Sequence, residues 1–367
     1  MINVKLKDIT LNITDGKHGD CDGEEKSGYY FISCKDVYNG SVHYEGARQI
    51  TEKDYIDTHR RTMLEPNDIL VTNSGTIGRM ALVKDIPETY RTTFQKSVAI
   101  VKPNQKIIRP AYLYYCLLNC VTQFINQSNG SAQKNLLLGT MRNFELSIEE
   151  EFARQDIMVE MLKAYDDLIE NNQKQIKLLE EAAQRLYKEW FMDLRFPGYE
   201  DVAVVDGMPE GWTRVSINDL GDYINGYAFK PSDWGTVGKP IIKIKEMNEG
   251  ITATTPRNSG EGIPEKYFIS AGDILFSWSA TLSAMIWDAE DGLLNQHLFK
   301  VIPGKGYSKE FVLQSILATL DEFRNLTTGA TMKHIQRGKL KDVFINAPST
   351  DIMEKYNYSG ELLRNRI

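Results

Sequence analysis

Apolar residues recur at alternating spacings of four and three along the middle of the chain, with neither glycine nor proline from 152 to 196. The series runs through Met158, Leu162, Tyr165, Ile169, Asn172, Ile176, Leu179, Ala183, Leu186 and Trp190. A period of 3.5 residues kept over this length predicts one long coiled-coil helix over 151–192, rather than an ordinary surface helix. The one polar member, Asn172, is typical of a buried residue that fixes register and partner in a coiled coil.

Shorter apolar runs on either side of that helix predict a mixture of strands and helices. Strands are predicted for DILVTN (68–73), SVAIVKP (97–103), DILFSW (273–278) and LFKVIP (298–303). The longer stretches 109–127 and 308–326 have helical periodicity, and Ser308 is placed to cap the second of them. Both flanking regions are therefore predicted to be mixed α/β.

The order of motifs in the first region is repeated in the second. The corresponding pairs are 68–70 with 273–275, Gln95 with Gln296, 130–146 with 329–345, and 155–158 with 350–353. The offset between corresponding positions falls slowly from 205 to 195, as expected when loops change length and the scaffold is retained. The chain is therefore predicted to contain two copies of one domain.

We predict an α/β fold in which two duplicated mixed α/β domains are separated by long coiled-coil helices, the second helix being incomplete. The predicted segments are a first domain (1–150), the central helix (151–192), a linker (193–212), a second domain (213–348) and the start of a second helix (349–367). By the offset of 195, Ile367 corresponds to Asn172 in the middle of the first helix. The second helix is therefore expected to be truncated.

Composition narrows the possible functions. A chain of 367 residues that is 42% hydrophobic suits two domains, and no stretch approaches the ~18 apolar residues of a membrane span. The N-terminal MINVKLKDIT has no apolar signal segment and only four cysteines occur, which predicts a cytoplasmic protein with reduced thiols. Cys116 and Cys120 are expected on one helix face as core thiols rather than a metal pair. The net charge of −7 argues against nucleic-acid binding through overall charge but allows a local basic cleft.

The stretch TDGKHGDCDGEE (14–25) concentrates candidate metal ligands in one loop. These candidates are Asp15, His18, Asp20, Cys21 and Asp22. The corresponding place in the second copy, NGYAFKPSDW (225–234), has aromatic residues and a lysine instead of the histidine and most of the acids. A loop that differs this much between two copies favours two different recognition tasks, so we predict no metal site.

The sequence lacks the motifs of the common catalytic sites. It has no Walker A pattern, no HExxH, no GxSxG, no paired CxxC, no Rossmann GxGxxG and no Asn-Pro-Pro-aromatic stretch of amino-methyltransferases. An enzyme built from two copies would also be expected to repeat its catalytic residues. We therefore predict no catalytic residues and no cofactor bound by this chain.

This layout resembles the DNA-specificity subunit of Type I restriction-modification enzymes over essentially the whole chain. The resemblance rests on DGKHG, PNDILVTNSGTIG, GSAQKNL and the long helix in the first half, and on MPEGW, NGYAFK, AGDIL and GATMKHI in the second. No single motif is decisive, but their order, duplicated around a heptad helix, is typical of that family.

The resemblance implies two target-recognition domains that each read one half of a bipartite site in double-stranded DNA. The helices would pack as an antiparallel coiled coil, set the spacing of the two half-sites and dock two methylation subunits. Motor-nuclease subunits would join for restriction. The specificity subunit itself would be non-catalytic, and S-adenosylmethionine, ATP and Mg²⁺ would be bound only by the partner subunits.

Polar, basic and aromatic residues in loops are the candidates for contact with DNA. In the first copy they are Lys17, His18, Asn73, Ser74, Thr76, Arg79, Gln95, Lys96 and Lys134. In the second copy they are Tyr227, Phe229, Lys230, Trp278, Ser279, Gln296, His297 and Lys333. Lys134 and Lys333 are equivalent and adjoin a glycine-rich loop, which favours contact with phosphate. For the others, a solvated surface charge or a core aromatic is the alternative.

Two other classes of function are alternatives for this sequence. A DNA methyltransferase or nuclease could carry its own catalysis on this fold, although the missing motifs argue against it. A protein-binding adaptor could use the long helix and both domains to bind only proteins. Measurements of DNA binding at varied salt concentration would separate the adaptor from a DNA-recognition subunit.

Overall fold

The computed structural model describes residues 1–128, 135–279, 281–326 and 337–367. It divides into two units, Met1–Ile169 and Glu170–Ile367. The division falls inside the long helix, later in the chain than the predicted end of the first domain at 150. Each unit is described below by itself.

Unit 1 is mixed α/β, as predicted. Its strands are β1 (Ile2–Lys5), β2 (Thr10–Asp15), β3 (Tyr30–Ile32), β4 (Val37–Tyr38), β5 (Ser41–Val42), β6 (Ile69–Thr72), β7 (Met80–Leu82), β8 (Thr92–Phe94), β9 (Val98–Pro103) and β10 (Glu145–Ile148). Its helices are α1 (Glu52–Thr62), α2 (Pro110–Asn119), α3 (Val121–Asn126), α4 (Leu138–Arg142) and the first half of α5 (Phe152–Tyr187).

The centre of unit 1 is an antiparallel sheet in the order β2-β9-β6-β7. A short parallel pair, β3 with β8, lies beside it, and β1 pairs with β10. Strands β6 and β9 are almost continuously apolar because both faces of this sheet are covered. One face packs with Leu113 and Leu117 of α2, and the other with Ile32 and Phe94 of the parallel pair.

Unit 2 repeats this architecture. Its strands are β11 (Val204–Val205), β12 (Met208–Pro209), β13 (Thr213–Ser216), β14 (Gly221–Asn225), β15 (Lys239–Ile242), β16 (Arg257–Asn258), β17 (Phe268–Ile269), β18 (Ile274–Ser277), β19 (Ser283–Ile286), β20 (Gly292–Leu294), β21 (Leu298–Pro303) and β22 (Phe344–Ala347). Its helices are α6 (Ile244–Glu249), α7 (Lys309–Ala318), α8 (Leu320–Asn325), α9 (Thr350–Arg364) and the second half of α5.

The strand pairing agrees with the predicted duplication. The central sheet of unit 2 has the order β14-β21-β18-β19, and β15 pairs in parallel with β20 as β3 does with β8. Ile69 lies opposite Val101 in unit 1, and Ile274 lies opposite Val301 in unit 2. The predicted strands in both copies are therefore confirmed in place, and the structure adds their matching register.

The predicted helices are also present, with one interruption in each unit. The stretch 109–127 forms α2 and α3, which meet at Cys120, and 308–326 forms α7 and α8, which meet at Thr319. Ser308 caps α7 as predicted, because its side chain accepts a hydrogen bond from the backbone N–H of Phe311 at 3.2 Å. In the part of the chain that the structure describes, no helix combines the length and apolar character needed to cross a membrane.

The long central helix is confirmed. α5 has 36 residues, and a π-helical turn over Lys188–Met192 follows it directly. Every residue from 160 to 175 is exposed, including the predicted heptad positions Leu162, Tyr165 and Ile169. The apolar stripe predicted for a coiled coil is therefore present on the helix and lies on its surface.

The start of α5 is fixed within unit 1 by buried polar contacts. The side chain of Gln155 is fully buried, donating to the carbonyl of Glu149 at 2.7 Å and accepting from the backbone N–H of Arg109 at 2.8 Å. The Arg109 guanidinium binds both carboxylate oxygens of Asp156, at 2.9 and 3.1 Å. These contacts join the first turns of α5 to α2.

The end of α5 is fixed within unit 2 by aromatic packing. Tyr187, Trp190 and Phe191 are buried against Phe311 of α7 and Tyr356 of α9. Burial raises the pKa of the Tyr187 hydroxyl, which donates to Ser315 Oγ at 3.0 Å. Neither end of the helix is therefore free to turn about its own axis.

Candidate nucleic-acid interface

Three loop segments of unit 1 meet beside the parallel pair β3 and β8, where those strands end. The backbone N–H of Lys17 donates to the carbonyl of Phe94 at 2.8 Å, and that of Lys96 donates to the carbonyl of Lys17 at 3.0 Å. The N–H of Asn73 donates to the carbonyl of Ser97 at 3.0 Å. We call the segments 16–18, 73–74 and 95–97 the unit 1 edge.

Unit 2 builds the same arrangement from a different sequence. The backbone N–H of Tyr227 donates to the carbonyl of Leu294 at 2.8 Å, and that of Gln296 donates to the carbonyl of Tyr227 at 2.9 Å. The Trp278 ring lies 5.7 Å from the His297 ring, and its Nε1 donates to Asn225 Oδ1 at 3.2 Å. We call the segments 226–228, 278–279 and 295–297 the unit 2 edge.

These hydrogen bonds correct one predicted correspondence between the copies. The N–H of Gln95 donates to the carbonyl of Ile32, and the N–H of Asn295 makes the same bond to the carbonyl of Ile242. Gln95 therefore corresponds to Asn295, and Gln296 corresponds to Lys96. The correspondence predicted from the sequence was wrong by one residue, because it aligned the two glutamines by identity. The backbone hydrogen bonds instead align the residues that directly follow β8 and β20.

A glycine directly precedes Lys17 in unit 1 and Tyr227 in unit 2, because the backbone there lies too close to a neighbouring segment to leave room for a side chain. A Cβ on Gly16 would lie 1.9 Å from the carbonyl oxygen of Phe94, and one on Gly226 would lie 2.1 Å from that of Asn295. Both glycines also donate to the next strand, Gly16 to Val98 and Gly226 to Leu298. The scaffold beneath the two edges is thus the same.

The structure brings together most of the DNA contacts predicted for the first copy. His18 and Lys96 are exposed, and Lys17 and Gln95 are half-buried beside them. Asn73 is buried, and among the described residues its Oδ1 atom has no hydrogen-bond partner.

The remaining predicted contacts of the first copy lie in or beyond the hairpin loop between β6 and β7. Ser74 pairs through its backbone with Asn135, and Thr76 is exposed. Arg79 is half-buried and directly precedes the return strand β7. Lys134 lies outside the described residues, so its predicted contact with phosphate stays a prediction.

The side chains predicted to contact DNA are less exposed in the second copy than in the first. Tyr227, Gln296 and His297 are half-buried on the unit 2 edge, and Lys230 is exposed nearby. Trp278 is also half-buried, and Ser279 is buried. Lys333 lies outside the described residues.

Phe229 is a core aromatic residue, which was the alternative to its predicted contact with DNA. It is buried with Ile241 and Leu293 in a small cluster, so its ring packs inside the unit and is not available at the surface. Its aromatic neighbour Tyr227 lies against it, with ring centroids 4.9 Å apart, and is the more accessible of the two.

The acidic loop at 14–25 is organised by arginines. Asp15 is nearly buried and accepts from Arg61 at 2.6 Å and from His18 at 2.9 Å. Asp20 pairs with Arg48, and this hydrogen bond lowers the pKa of the Asp20 carboxyl. Burial raises the pKa of the Cys21 thiol, which keeps it protonated and poorly suited to bind a metal.

The two units differ most between the parallel strands and the central hairpin. Unit 1 has helix α1 there, which packs on β8. Unit 2 has the short helix α6 directly after β15, and then β16, a 3-10 turn over Glu265–Tyr267 and β17 in place of α1. An open cavity of about 440 Å³ lies beside Trp234, Thr252 and Arg257. The Lys243 ammonium sits 5.0 Å from the centre of the Trp234 ring.

Sequence reasoning missed Arg61, Asn295 and Lys243 near these edges. Arg61 lies in the basic run HRR (59–61), which is visible in the sequence. The run alone does not show where Arg61 lies in the fold. Lys243 and Asn295 directly follow the parallel strands β15 and β20, and only the pairing of those strands places them side by side.

Comparison with known proteins identifies the family. The sequence model described as "Type I restriction modification DNA specificity domain" matches residues 3–181 and 209–356, which is most of the chain and includes both copies. The chain belongs to this specificity family. The resemblance seen in the sequence motifs is thereby confirmed.

Curated relatives carry the same description. The EcoBI specificity subunit of Escherichia coli is 30% identical over 142 residues, which is 38% of this chain and 29% of that protein. The MjaIX specificity subunit of Methanocaldococcus jannaschii is 30% identical over 231 residues, 60% of this chain and 52% of that protein. The chain thus matches about half or less of the length of these two relatives. The HindI specificity subunit of Haemophilus influenzae is 23% identical, with 88% and 85% covered.

A solved structure supports the fold. The S subunit of a Type I restriction-modification system from M. genitalium superposes with a TM-score of 0.52 at 12% identity, covering 100% of this chain and 89% of that one. At this level of identity the likeness concerns the fold alone. It agrees with the predicted pair of mixed α/β domains joined by a long helix.

Proposed function

We propose that this specificity-family chain is the DNA-recognition subunit of a Type I restriction-modification complex. Each unit reads one half of a bipartite site in double-stranded DNA. The central helix sets the spacing between the halves and docks two methylation subunits, and motor-nuclease subunits join for restriction.

The observation that carries the proposal is the contrast between the two edges. Identical backbone hydrogen bonds hold Lys17 in unit 1 and Tyr227 in unit 2, and likewise Lys96 and Gln296. A lysine and a tyrosine, or a lysine and an amide, present different donors and acceptors to a DNA groove. One scaffold with two sets of side chains is what a reader of two unlike half-sites requires.

The exposed stripe on α5 supports the docking of other protein chains. Leu162, Tyr165 and Ile169 are 44%, 68% and 54% exposed, on a helix whose two ends are fixed within their units. Large apolar side chains repeated at heptad spacing stabilise a helix by packing against other helices. In the proposed complex this stripe forms the coiled coil and contacts the methylation subunits.

The proposed subunit performs no chemistry itself. Its contribution is to bind and orient DNA, while the partner subunits of the proposed complex bind S-adenosylmethionine, ATP and Mg²⁺. Its acidic loop has carboxylates already engaged by Arg61 and Arg48, which fits a structural and recognition role.

Exchange of one unit tests the proposal. Residues 1–150 are replaced by the corresponding residues of a relative, and the methylated motif is read by methylome sequencing of cells that also carry the methylation subunits. One half of the motif should change while the other half and the gap are retained. The reciprocal exchange of 213–348 is the matched control and should change the opposite half. A single exchange that altered both halves would contradict the assignment of one half to each unit.

A further inference from the structure

Helix α1 carries an arginine that a nearly buried carboxylate holds at the margin of the unit 1 edge. Nη2 of Arg61 donates to Oδ1 of Asp15 at 2.6 Å, and Nε lies 3.4 Å from Oγ1 of Thr14. The Asp15 side chain is only 10% exposed, whereas that of Arg61 is 51% exposed. Asp15 directly precedes the edge segment 16–18.

The second oxygen of the same carboxylate holds a second basic side chain. Oδ2 of Asp15 lies 2.9 Å from Nε2 of His18, whose side chain is 60% exposed. One carboxylate therefore fixes two exposed side chains through its two oxygens. Charge-assisted hydrogen bonds of this length orient both partners more firmly than a solvated surface pair would.

The helix that carries Arg61 is itself rigidly attached to unit 1. The Tyr55 hydroxyl donates to the carbonyl of Tyr90 at 2.6 Å, and its ring stacks on Tyr29 with centroids 4.8 Å apart. Thr58 and Thr62 are buried on the same face. The position of the Arg61 backbone is thus set by the core and does not depend on the exposed side chain.

The remaining N–H donors of Arg61 suit a base edge better than a phosphate. A guanidinium has five N–H donors, and among the described residues Asp15 and Thr14 engage two of them, one on Nη2 and the one on Nε. Within that part of the chain, both Nη1 donors and the second Nη2 donor are left for a ligand. The bound carboxylate already compensates the positive charge, so the electrostatic gain from a phosphate is reduced. Orientation is retained, and an oriented arginine is the side chain that most often pairs with O6 and N7 of guanine.

We propose that Arg61 is a specificity-determining residue that reads a guanine in the half-site bound by unit 1, and that Asp15 is its positioning residue. The inference rests on the proposed function. It adds a reading element, α1, which has no α-helical counterpart in the described residues between α6 and β18 of unit 2. The guanine contact therefore belongs to one half-site only.

The test reads the methylated motif for the wild-type chain and four variants, each together with the methylation subunits. In Arg61→Ala and Arg61→Lys, preference for guanine at one position of one half-site should fall by about tenfold or more, with all other positions unchanged. Arg61→Lys keeps the charge and differs in donor geometry, so it separates reading from charge. Asp15→Asn should lower the preference for guanine at the same position of the motif. A merely structural role of Asp15 would not affect that one position selectively.

Arg60→Ala is the matched control, since Arg60 is an exposed arginine on the same turn of α1 and has no ion pair to Asp15. Its motif should equal that of the wild-type chain. Unchanged guanine preference in Arg61→Lys would overturn the inference. So would uniform weakening at all positions in Arg61→Ala with a salt slope reduced by about one, which is the signature of a phosphate contact. A wild-type chain that yielded no bipartite motif would instead overturn the proposed function, and this inference with it.

Discussion

Asp68 and Asp273 show how residues repeated in both copies serve the scaffold rather than recognition. Asp68 accepts a hydrogen bond from the backbone N–H of Glu65 at 2.8 Å, and Asp273 accepts one from that of Ser270 at 3.0 Å. Each carboxylate also lies near a lysine, Lys102 for Asp68 and Lys300 for Asp273. In the DIL motif that made the duplication visible, the aspartate therefore closes a turn, and the two apolar residues begin a central strand in each unit.

Asp68 gives the stability of unit 1 a specific dependence on pH. Burial raises the pKa of its carboxyl to about 6 and outweighs the hydrogen bond from Lys102. Because the folded pKa lies above the ordinary value of 3.8, the stabilisation is complete below pH ~3.8 and is lost as pH rises through about 6.

We expect Asp68→Asn to remove this dependence. The free energy of unfolding of the wild-type chain relative to Asp68→Asn should fall by roughly 1 kcal/mol between pH 5 and pH 7.5. Urea denaturation of both proteins at a series of pH values measures it. A difference that stayed constant, or grew with pH, would show that the Asp68 pKa is not raised.

Gly16 and Gly226 should tolerate no side chain. A methyl group at either position would meet a backbone carbonyl oxygen at about 2 Å, and neither strand can move without losing its ladder. Gly16→Ala and Gly226→Ala should each destabilise their own unit by about 3 kcal/mol. Chemical denaturation measures the loss.

Gly139→Ala is the matched control for both glycines. It lies exposed in α4, and a Cβ there meets nothing within 4 Å. In a helix this change should be neutral or stabilising by about 0.5–1 kcal/mol. Equal losses in all three variants would mean that the close approach at the edges is not the cause.

The sequence predicted the scaffold better than the residues placed on it. Strand and helix patterns depend on local spacing, so β6, β18 and α7 were found where expected. The correspondence of Gln95 in unit 1 to Asn295 in unit 2, and the position of Arg61 beside Asp15, depend on contacts within each unit between segments far apart in the chain. Periodicity holds no information about such contacts, and it did not distinguish the buried Phe229 from the accessible Tyr227.

At the scale of elements, the proposed function makes the length of the central helix a direct constraint on the DNA site. With 36 residues at a rise of ~1.5 Å, α5 is about 54 Å long, which corresponds to about 16 base pairs of B-DNA at ~3.4 Å each. The heptad pattern predicted this helix because its period does not depend on what the helix packs against. What covers the exposed stripe could not be predicted from the pattern alone.

Deletion of one heptad tests the helix as the element that sets the spacing. Removal of 172–178 shortens α5 by about 10 Å, or about three base pairs. It is combined with a matching deletion in the helical turns that pack against this heptad. The deletion should shift the preferred gap by a few base pairs, or abolish binding because the two units no longer face the same side of the DNA helix. Methylome sequencing or binding to duplexes of graded gap length measures the shift.

A substitution series within 172–178 that keeps the length is the control for this deletion, and it should leave the gap unchanged. An unchanged gap after the deletion would contradict the role of α5 in spacing. The reading of two half-sites by two units would then be tested by the exchange of units alone.

At the scale of the whole molecule, the central claim is that two copies of one domain read two parts of one DNA site. The two edges support this proposed function, because they share their backbone contacts at Gly16 and Gly226 and differ in the side chains that follow. Membership in the specificity family and the names of its relatives agree with it. A bipartite motif is the direct consequence.

Methylome sequencing of cells with and without this chain, in the presence of the methylation subunits, tests that claim most directly. We expect modification that depends on the chain and falls on a motif of two short specific parts separated by an unread gap. The overall length should be near or below about 16 base pairs, as the helix allows. A continuous motif with no gap, or a methylome that did not change when the chain was removed, would contradict the claim.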